Sequence, residues 1–325
     1  MSQEVLIGID LGGTNCRAAL VSLSGEIIVL NKVPTKINEG RNPFLGRIFR
    51  LCADLFNFAA KEDMQVIGIG MGAAGVISPT GVVTVSPNLS ILNGLPLEDA
   101  LEEALGLPAT VTNDANAIAW GEAQFGAGRN FNSFLTITLG TGVGGGLVLG
   151  KQLWKGADGS AGEIGHFVVE PQGRLCRCGS RGCLEQYASA TGIVKTVQEL
   201  AGEGQQTVLE NLIDGELSSI KVSEAARIGD QVALAAFKEA GIRLGQVLAS
   251  VANLLNLDGV VITGGPSESL DLIRPAMIQE AKSRAFEIPF KRMVIVRGEL
   301  GDEAGILGAA GLAYEELKNK KRDSS

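Results

Sequence analysis

The sequence has one histidine, five cysteines and no excess of positive charge. Each shortage excludes something. With 28 Lys and Arg against 36 Asp and Glu, the net charge is -8. That surface lacks the clustered cations by which proteins hold nucleic acid or anionic membranes nonspecifically. No apolar run is long enough to span a bilayer; the most apolar stretch, LGTGVGGGLVLG, is short and broken by glycine. Met1-Ser-Gln-Glu4 is not the basic start of a signal peptide, and the apolar run after it is short. An odd, small number of cysteines without a secretion signal fits a reducing cytoplasm rather than a disulfide scaffold.

What is present is an ordinary globular composition, 45% hydrophobic and 20% charged, over 325 residues. That length suggests about two domains. Glycine is the unusual abundance: 44 residues, roughly twice the usual share. The glycines gather at turns beside strands, where backbone bends sharply or approaches a ligand. EVLIGID, CRAALVSL and IIVLNKV read as three strands joined by tight turns, an antiparallel meander. In NPFLGRIFRLCADLFNFAAK, Arg47, Arg50, Asp54, Asn57 and Lys61 recur at helical spacing and mark one solvated face. VIGIGMG is a buried strand. LPLEDALEEALG is a helix with Leu97, Leu101, Ala104 and Leu105 on one face, closed by Gly106 and Pro108. ATVT is a strand running into Asn113-Asp114.

The second half repeats that order. FLTITL, GLVLG and a short LW stretch form another meander; then come a helix over about 231–255, the strand GVVITGG, a helix near 269–285 and the strand MVIVRG. Both halves read β-β-β-α-β-α-β. IGIDLGGTNCRAALV and LTITLGTGVGGGLVL align with Leu11 on Leu139 and Gly12 on Gly140. Two like α/β lobes imply a cleft between them, with one glycine-rich turn from each lobe facing it.

Five segments carry candidate chemistry. In DLGGTN, the backbone N–H groups of Gly12, Gly13, Thr14 and Asn15 can form a nest for a phosphate. Asp10, at the strand end, can hold Mg²⁺ through water. GTGVG, with Gly140, Thr141, Gly142 and Gly144, is a second such loop. Either is equally readable as a tight hairpin turn. Neither is a Walker A loop or a dinucleotide fingerprint, because a strand rather than a helix follows. NDAN, Asn113 to Asn116, stands where a strand enters a helix. It reads as a helix cap or as a carboxylate, Asp114, that takes the proton of an attacking hydroxyl, and the two are compatible. GEIGH places Glu163 and His166 in a shaped loop. TGG, ending in Gly264 and Gly265, is a strand-to-helix turn that also lets a nucleoside approach the backbone.

The scarce histidine and cysteine converge in one place. His166, Cys176, Cys178 and Cys183 make a Cys₃His set, common for tetrahedral zinc, with Gly179 and Gly182 letting the loop wrap one ion. Buried free thiols or a disulfide are the alternatives; a reducing compartment disfavours the second. Four protein ligands would make the metal structural.

Taken in order, DLGGTN, PNL (Pro87–Leu89), NDANA, GTGVGGG, GEIGH, CRCGSRGCLE, TGG and GILGAAGLA resemble the ROK family of sugar kinases and sugar-responsive repressors. The resemblance spans nearly the whole chain. It implies the two-lobed, actin-like (ribonuclease H-like) kinase fold. One lobe would be residues 1–115 plus about 302–325, the other 116–301. It implies Asp114 as the base and Asn113, Glu163, His166 and Glu185 as sugar ligands, with the segments around Gly75 and Asn88 close to the sugar. ATP phosphates would lie on the DLGGTN and GTGVG loops, Mg²⁺ near Asp10, adenosine near TGG and structural Zn²⁺ on the histidine and cysteines. The family often forms dimers or tetramers.

Two departures bear on which sugar is chosen. Ala74-Gly75 stands where the family usually has Pro-Gly, and Ser90-Ile91-Leu92 where it often has Pro-Gly-Trp. The expected activity is ATP-dependent phosphorylation of a hexose at its 6-hydroxyl, glucose first. Kinases of N-acetylmannosamine, N-acetylglucosamine, fructose or allose are the alternatives. Repressors of the family carry an N-terminal helix-turn-helix, for which a first strand at Val5 leaves no room; a noncatalytic sugar-binding protein is the remaining class.

Overall fold

The computed structural model describes residues 2–213 and 215–323. The chain runs β1 (Gln3–Leu11), β2 (Asn15–Ser22), β3 (Ile27–Pro34), α1 (Arg41–Lys61), β4 (Met64–Ala73), β5 (Val76–Ile77), β6 (Val83–Val85), α2 (Leu97–Leu105), β7 (Ala109–Asn113) and α3 (Asp114–Gln124). It continues through β8 (Phe134–Leu139), β9 (Val143–Leu149), β10 (Gln152–Trp154), α4 (Glu185–Ala188), α5 (Ala190–Gly202), α6 (Ser219–Arg227) and α7 (Gln231–Leu255). It ends with β11 (Gly259–Thr263), α8 (Leu270–Arg284), α9 (Glu287–Arg292), β12 (Val294–Arg297) and α10 (Ala304–Asp323).

Two five-stranded sheets have the orders β3-β2-β1-β4-β7 and β10-β9-β8-β11-β12. In the first, β2 pairs antiparallel with β1 and β3, while β4 and β7 add in parallel. In the second, β10 pairs antiparallel with β9, and β11 runs parallel to β8 and β12. Position by position the two orders are the same, as the repeated element order predicts. β1 and β8 end at Leu11 and Leu139, the residues that the sequence alignment superposes.

Contacts divide the chain into two compact units, residues 1–132, 146–162 and 299–325 in one, and 133–145 and 163–298 in the other. In the first, α1 buries Phe44, Ile48, Leu51, Cys52, Leu55 and Ala59 against Ile7, Ile9, Leu20 and Met71. Arg50, Asp54, Asn57 and Lys61 stay exposed, as the spacing predicts, but Arg47, expected on the same face, is half-buried and donates to the Thr35 and Lys36 carbonyls. Ala104, expected on the apolar face of α2, is exposed instead.

Many glycines lie inside elements rather than at turns. A Cβ on Gly8 or Gly70 would strike the carbonyls of Ile306 and Ala309 in α10, and one on Gly308 would strike Ala117 in α3. In the second unit, a Cβ on Gly241 would sit 2.5 Å from the Ile273 carbonyl and one on Gly245 2.6 Å from that of Met277. The glycine abundance therefore reflects backbone-to-backbone packing of helices as well as turns. Among the described residues, no helix is long and apolar enough to cross a membrane.

Candidate active site

In the first unit the DLGGTN turn is held from behind. Gly12 N–H donates to the Asn15 carbonyl (3.0 Å), Thr35 Oγ1 donates to the Gly12 carbonyl (2.8 Å) and Thr35 N–H to that of Thr14 (2.8 Å). The N–H groups of Gly13 and Thr14, both exposed residues, have no acceptor among the described residues. Asp10 stands opposite Arg17 in the β1–β2 register. Arg17 donates to Asp10 Oδ2 through Nε (3.2 Å) and Nη2 (2.5 Å), and Nη2 also reaches the Asp302 carbonyl (2.8 Å). Asp10 Oδ1 keeps no hydrogen bond to the protein among the described residues.

Asn113 caps α3: its Oδ1 accepts from Asn116 N–H (3.1 Å), while its Nδ2 donates to the Gly75 carbonyl (2.9 Å). The capping reading of NDAN thus holds, and the cap also fixes the Gly75 segment. Asp114 begins the helix, with Oδ1 accepting from Ala115 N–H (2.9 Å), and is half-buried. Gly75 has φ +127°, and a Cβ there would lie 2.6 Å from the Val85 carbonyl, so only glycine fits. Ser86 Oγ donates to the Ala74 carbonyl (2.6 Å) and accepts from Leu89 N–H (3.1 Å). Asn88 is exposed beside Gly13, whose Cβ would sit 3.5 Å from that of Asn88. Arg41 pins the Ser90–Leu92 turn through the carbonyls of Ile91 (2.6 Å) and Asn93 (3.1 Å).

In the second unit the GTGVG turn stands at the equivalent place, between β8 and β9, but closes on a bond one residue shorter. Gly140 N–H donates to the Gly142 carbonyl (2.9 Å), and Thr141 and Gly142 N–H groups have no acceptor among the described residues. These are the positions aligned with Gly13 and Thr14. Val143 N–H donates to Glu185 Oε2 (3.1 Å), so Glu185, at the head of α4, is bound to this turn. A Cβ on Gly142 would collide with that carboxylate. Gly144 follows within β9. Gly264 has φ +89° and lies against the Leu139 carbonyl at the end of β8, whereas Gly265 faces open space.

Glu163 is exposed just before the single helical turn Ile164–His166, and its Oε2 lies 3.8 Å from His166 Nε2. The other ring nitrogen, Nδ1, lies 3.8 Å from Cys176 Sγ; Cys178 and Cys183 Sγ are 3.6 Å apart. All four ligand atoms lie within 4.8 Å of one another. A tetrahedral ion with Zn–S near 2.3 Å spaces its ligands by roughly 3.8 Å, so this donor set fits zinc. The loop shape comes from Cys176 N–H to the Ser180 carbonyl (2.8 Å) and Gly179 N–H to that of Cys176 (3.0 Å). Burial, then the adjacent Cys178 and Cys176 thiols, push the Cys183 thiol up to about 12. The Ser180 backbone N–H helps hold that of Cys178 below the ordinary value.

Sequence reasoning missed Arg17, Arg41 and Ser86. Arg17 alone carried a signal, since a two-strand hairpin turning at Gly12–Thr14 puts it across from Asp10.

A sequence profile of the ROK family matches residues 6–316. The chain belongs to the ROK family. A glucokinase of Halalkalibacterium halodurans is 36% identical over 326 residues, 99% of this chain and 98% of that protein. An N-acetylmannosamine kinase of Yersinia pseudotuberculosis is 31% identical over 313 residues, 96% of this chain and 99% of that one. The crystal structure of a ROK family glucokinase from Streptomyces griseus, in complex with glucose and AMPPNP, is similar with a TM-score of 0.79 and 36% identity, over 96% of this chain and 99% of that chain. The ROK chain described here has the actin-like sugar kinase fold and is a sugar kinase.

Proposed function

We propose that the protein transfers the γ-phosphoryl group of ATP to the 6-hydroxyl of a hexose, glucose before others. The observation that carries the reading is the matched pair of hairpin turns. Each leaves two successive N–H groups, Gly13 and Thr14 or Thr141 and Gly142, without an acceptor among the described residues. Such groups suit phosphate oxygens. TGG would receive the adenosine.

Asp114 takes the proton of the attacking hydroxyl as that oxygen bonds to phosphorus and ADP leaves. Asn113, Glu163, His166 and Glu185 hold the remaining hydroxyls, and Gly75 and Asn88 shape the sugar's surroundings. Asp10 Oδ1 suits a water of Mg²⁺, since Arg17 takes only Oδ2. The bound cation would offset charge on the phosphates. His166, Cys176, Cys178 and Cys183 would hold Zn²⁺ as a structural clip, with His166 Nδ1 on the metal side and Nε2 left for a hydroxyl. A second reading, an N-acetylmannosamine kinase, is favoured by the Yersinia relative. Family resemblance also leads us to expect a dimer or tetramer, which light scattering reads directly.

The test is coupled ADP release across hexoses and N-acetylhexosamines. The highest kcat/KM with glucose is expected. A best rate with N-acetylmannosamine would move the assignment to the second reading. Binding of ATP and sugar without ADP release would leave a noncatalytic sugar-binding protein.

A further inference from the structure

We infer that Arg174 and Tyr187 are positioning residues that tie the cysteine loop to the second phosphate turn, so that this loop supports nucleotide binding. The inference rests on the kinase reading above. It concerns a part of the loop that the metal does not touch.

Arg174 lies two residues before Cys176, and its side chain is only 10% exposed. Its guanidinium stacks on Tyr187, 4.5 Å from the ring centre. Nη1 donates to the carbonyls of Gln186 (2.5 Å) and Gly192 (3.2 Å). Nη2 donates to Thr196 Oγ1 (2.8 Å) and Glu199 Oε2 (2.5 Å), and Nε to Glu199 as well (3.0 Å). The Arg174 N–H donates to Tyr187 Oη (3.1 Å), and Gly173 leaves no room for a side chain against that oxygen. From α7, Arg243 lies over the same ring at 5.1 Å and donates to the Val169 carbonyl (3.0 Å). Planar, forked guanidinium groups can join several carbonyls and a ring at once, which an ammonium cannot.

The segment so gripped, 185–192, is stitched to the GTGVG turn. Ala190 N–H donates to the Gly140 carbonyl (2.8 Å), Thr191 Oγ1 to the Thr141 carbonyl (2.8 Å), and Val143 N–H to Glu185 Oε2 (3.1 Å). Within the segment, Ser189 Oγ donates to the Glu185 carbonyl (2.6 Å) and accepts from Gly192 N–H (2.9 Å). Three residues of the phosphate turn, Gly140, Thr141 and Val143, therefore take their position from a segment whose far side is held by Arg174. If the Arg174 guanidinium is lost, its bonds to the Gln186 and Gly192 carbonyls, Thr196 and Glu199 go and the backbone N–H on Tyr187 Oη remains, so the segment, and with it the N–H groups of Thr141 and Gly142, is less firmly fixed.

The experiment measures Mg·ADP affinity by calorimetry, glucose affinity, zinc per chain and Tm for the wild type, Arg174→Ala, Arg174→Lys and Tyr187→Phe. Arg174→Ala is expected to keep its zinc and weaken Mg·ADP by about tenfold or more, the scale of charge-assisted hydrogen bonds lost at a part-buried site. Glucose affinity should fall as well, because Glu185 lies in the same segment, while zinc is retained. Arg174→Lys should recover part of the loss. Tyr187→Phe keeps the ring but removes the acceptor of Arg174 N–H, and should weaken Mg·ADP by about threefold. A folded, zinc-loaded Arg174→Ala with wild-type Mg·ADP affinity overturns the inference. So does an equal loss of nucleotide and glucose affinity with loss of zinc. If Arg174→Ala does not fold, unchanged affinity in Tyr187→Phe overturns it alone. A wild type that binds no Mg·ADP would count against the kinase reading itself.

Discussion

Replacing Asp114 by Asn separates catalysis from folding more cleanly than any other change at this site. The Asp114 carboxylate makes a bond that an amide can keep, since Oδ1 accepts from Ala115 N–H (2.9 Å) and an Asn oxygen can do the same. The helix cap belongs to Asn113, whose Oδ1 on Asn116 N–H is untouched. Loss of the favourable negative charge in the first turn of α3 costs about 0.3–1 kcal/mol. For a chain of this size that lowers Tm by a few degrees at most. Loss of a general base instead costs about 10²–10⁴ in rate. At 1.36 kcal/mol per decade this is about 2.7–5.4 kcal/mol of transition-state stabilisation. The two effects are thus well separated. Coupled ADP release at saturating sugar and ATP should fall at least a hundredfold, while sugar binding by calorimetry stays within a few-fold. Turnover above a tenth of the wild type, in protein shown by mass to retain the Asn, would refute Asp114 as the base.

Other expectations follow from the same geometry. Purified protein should hold one zinc per chain by elemental analysis, and Cys178→Ser, which changes an exposed ligand, should lose it with a lower Tm; dialysed, zinc-free protein with unchanged sugar affinity would sever the metal from the site. Gly75→Ala meets both φ +127° and the Val85 carbonyl, so it should cost more than about 1 kcal/mol. It should also raise KM for sugar, because Asn113 holds the Gly75 carbonyl; a wild-type Tm and KM would contradict the strain. Burial raises the Cys52 thiol from 9.0 to about 12, and burial with the neighbouring Cys52 and Asp10 does the same for Cys16. Below pH 9 both folded and unfolded chains keep these protons and nothing is lost. Between pH 9 and 12 the unfolded chain ionises first, so each thiol lowers stability by up to about 1.4 kcal/mol per pH unit. Urea unfolding from pH 8.5 to 10.5 should therefore show a shallower decline in Cys52→Ala than in the wild type, and parallel declines would exclude this origin.

The parts of the fold written in short range were legible, and the parts that depend on distant backbone were not. Alternating apolar residues around DLGGTN and GTGVG gave both meanders, and their alignment gave equivalent turns, because a hairpin's register is local. The Cys₃His cluster was legible from spacing, since a loop of that length can bring its four donor atoms together. Gly8 and Gly70 could not be read as helix-packing positions, because their partners in α10 lie hundreds of residues away. The same holds for the second role of Asn113. Its cap is visible in NDAN, but the bond from Nδ2 to Gly75 joins residues 38 apart. Where the family's Pro-Gly would stiffen the segment through its own ring, this chain has Ala74-Gly75, held by Ser86 on one carbonyl and Asn113 on the other. In place of a proline ring, Ser86, just after β6, and Asn113, at the end of β7, hold the two carbonyls of this segment.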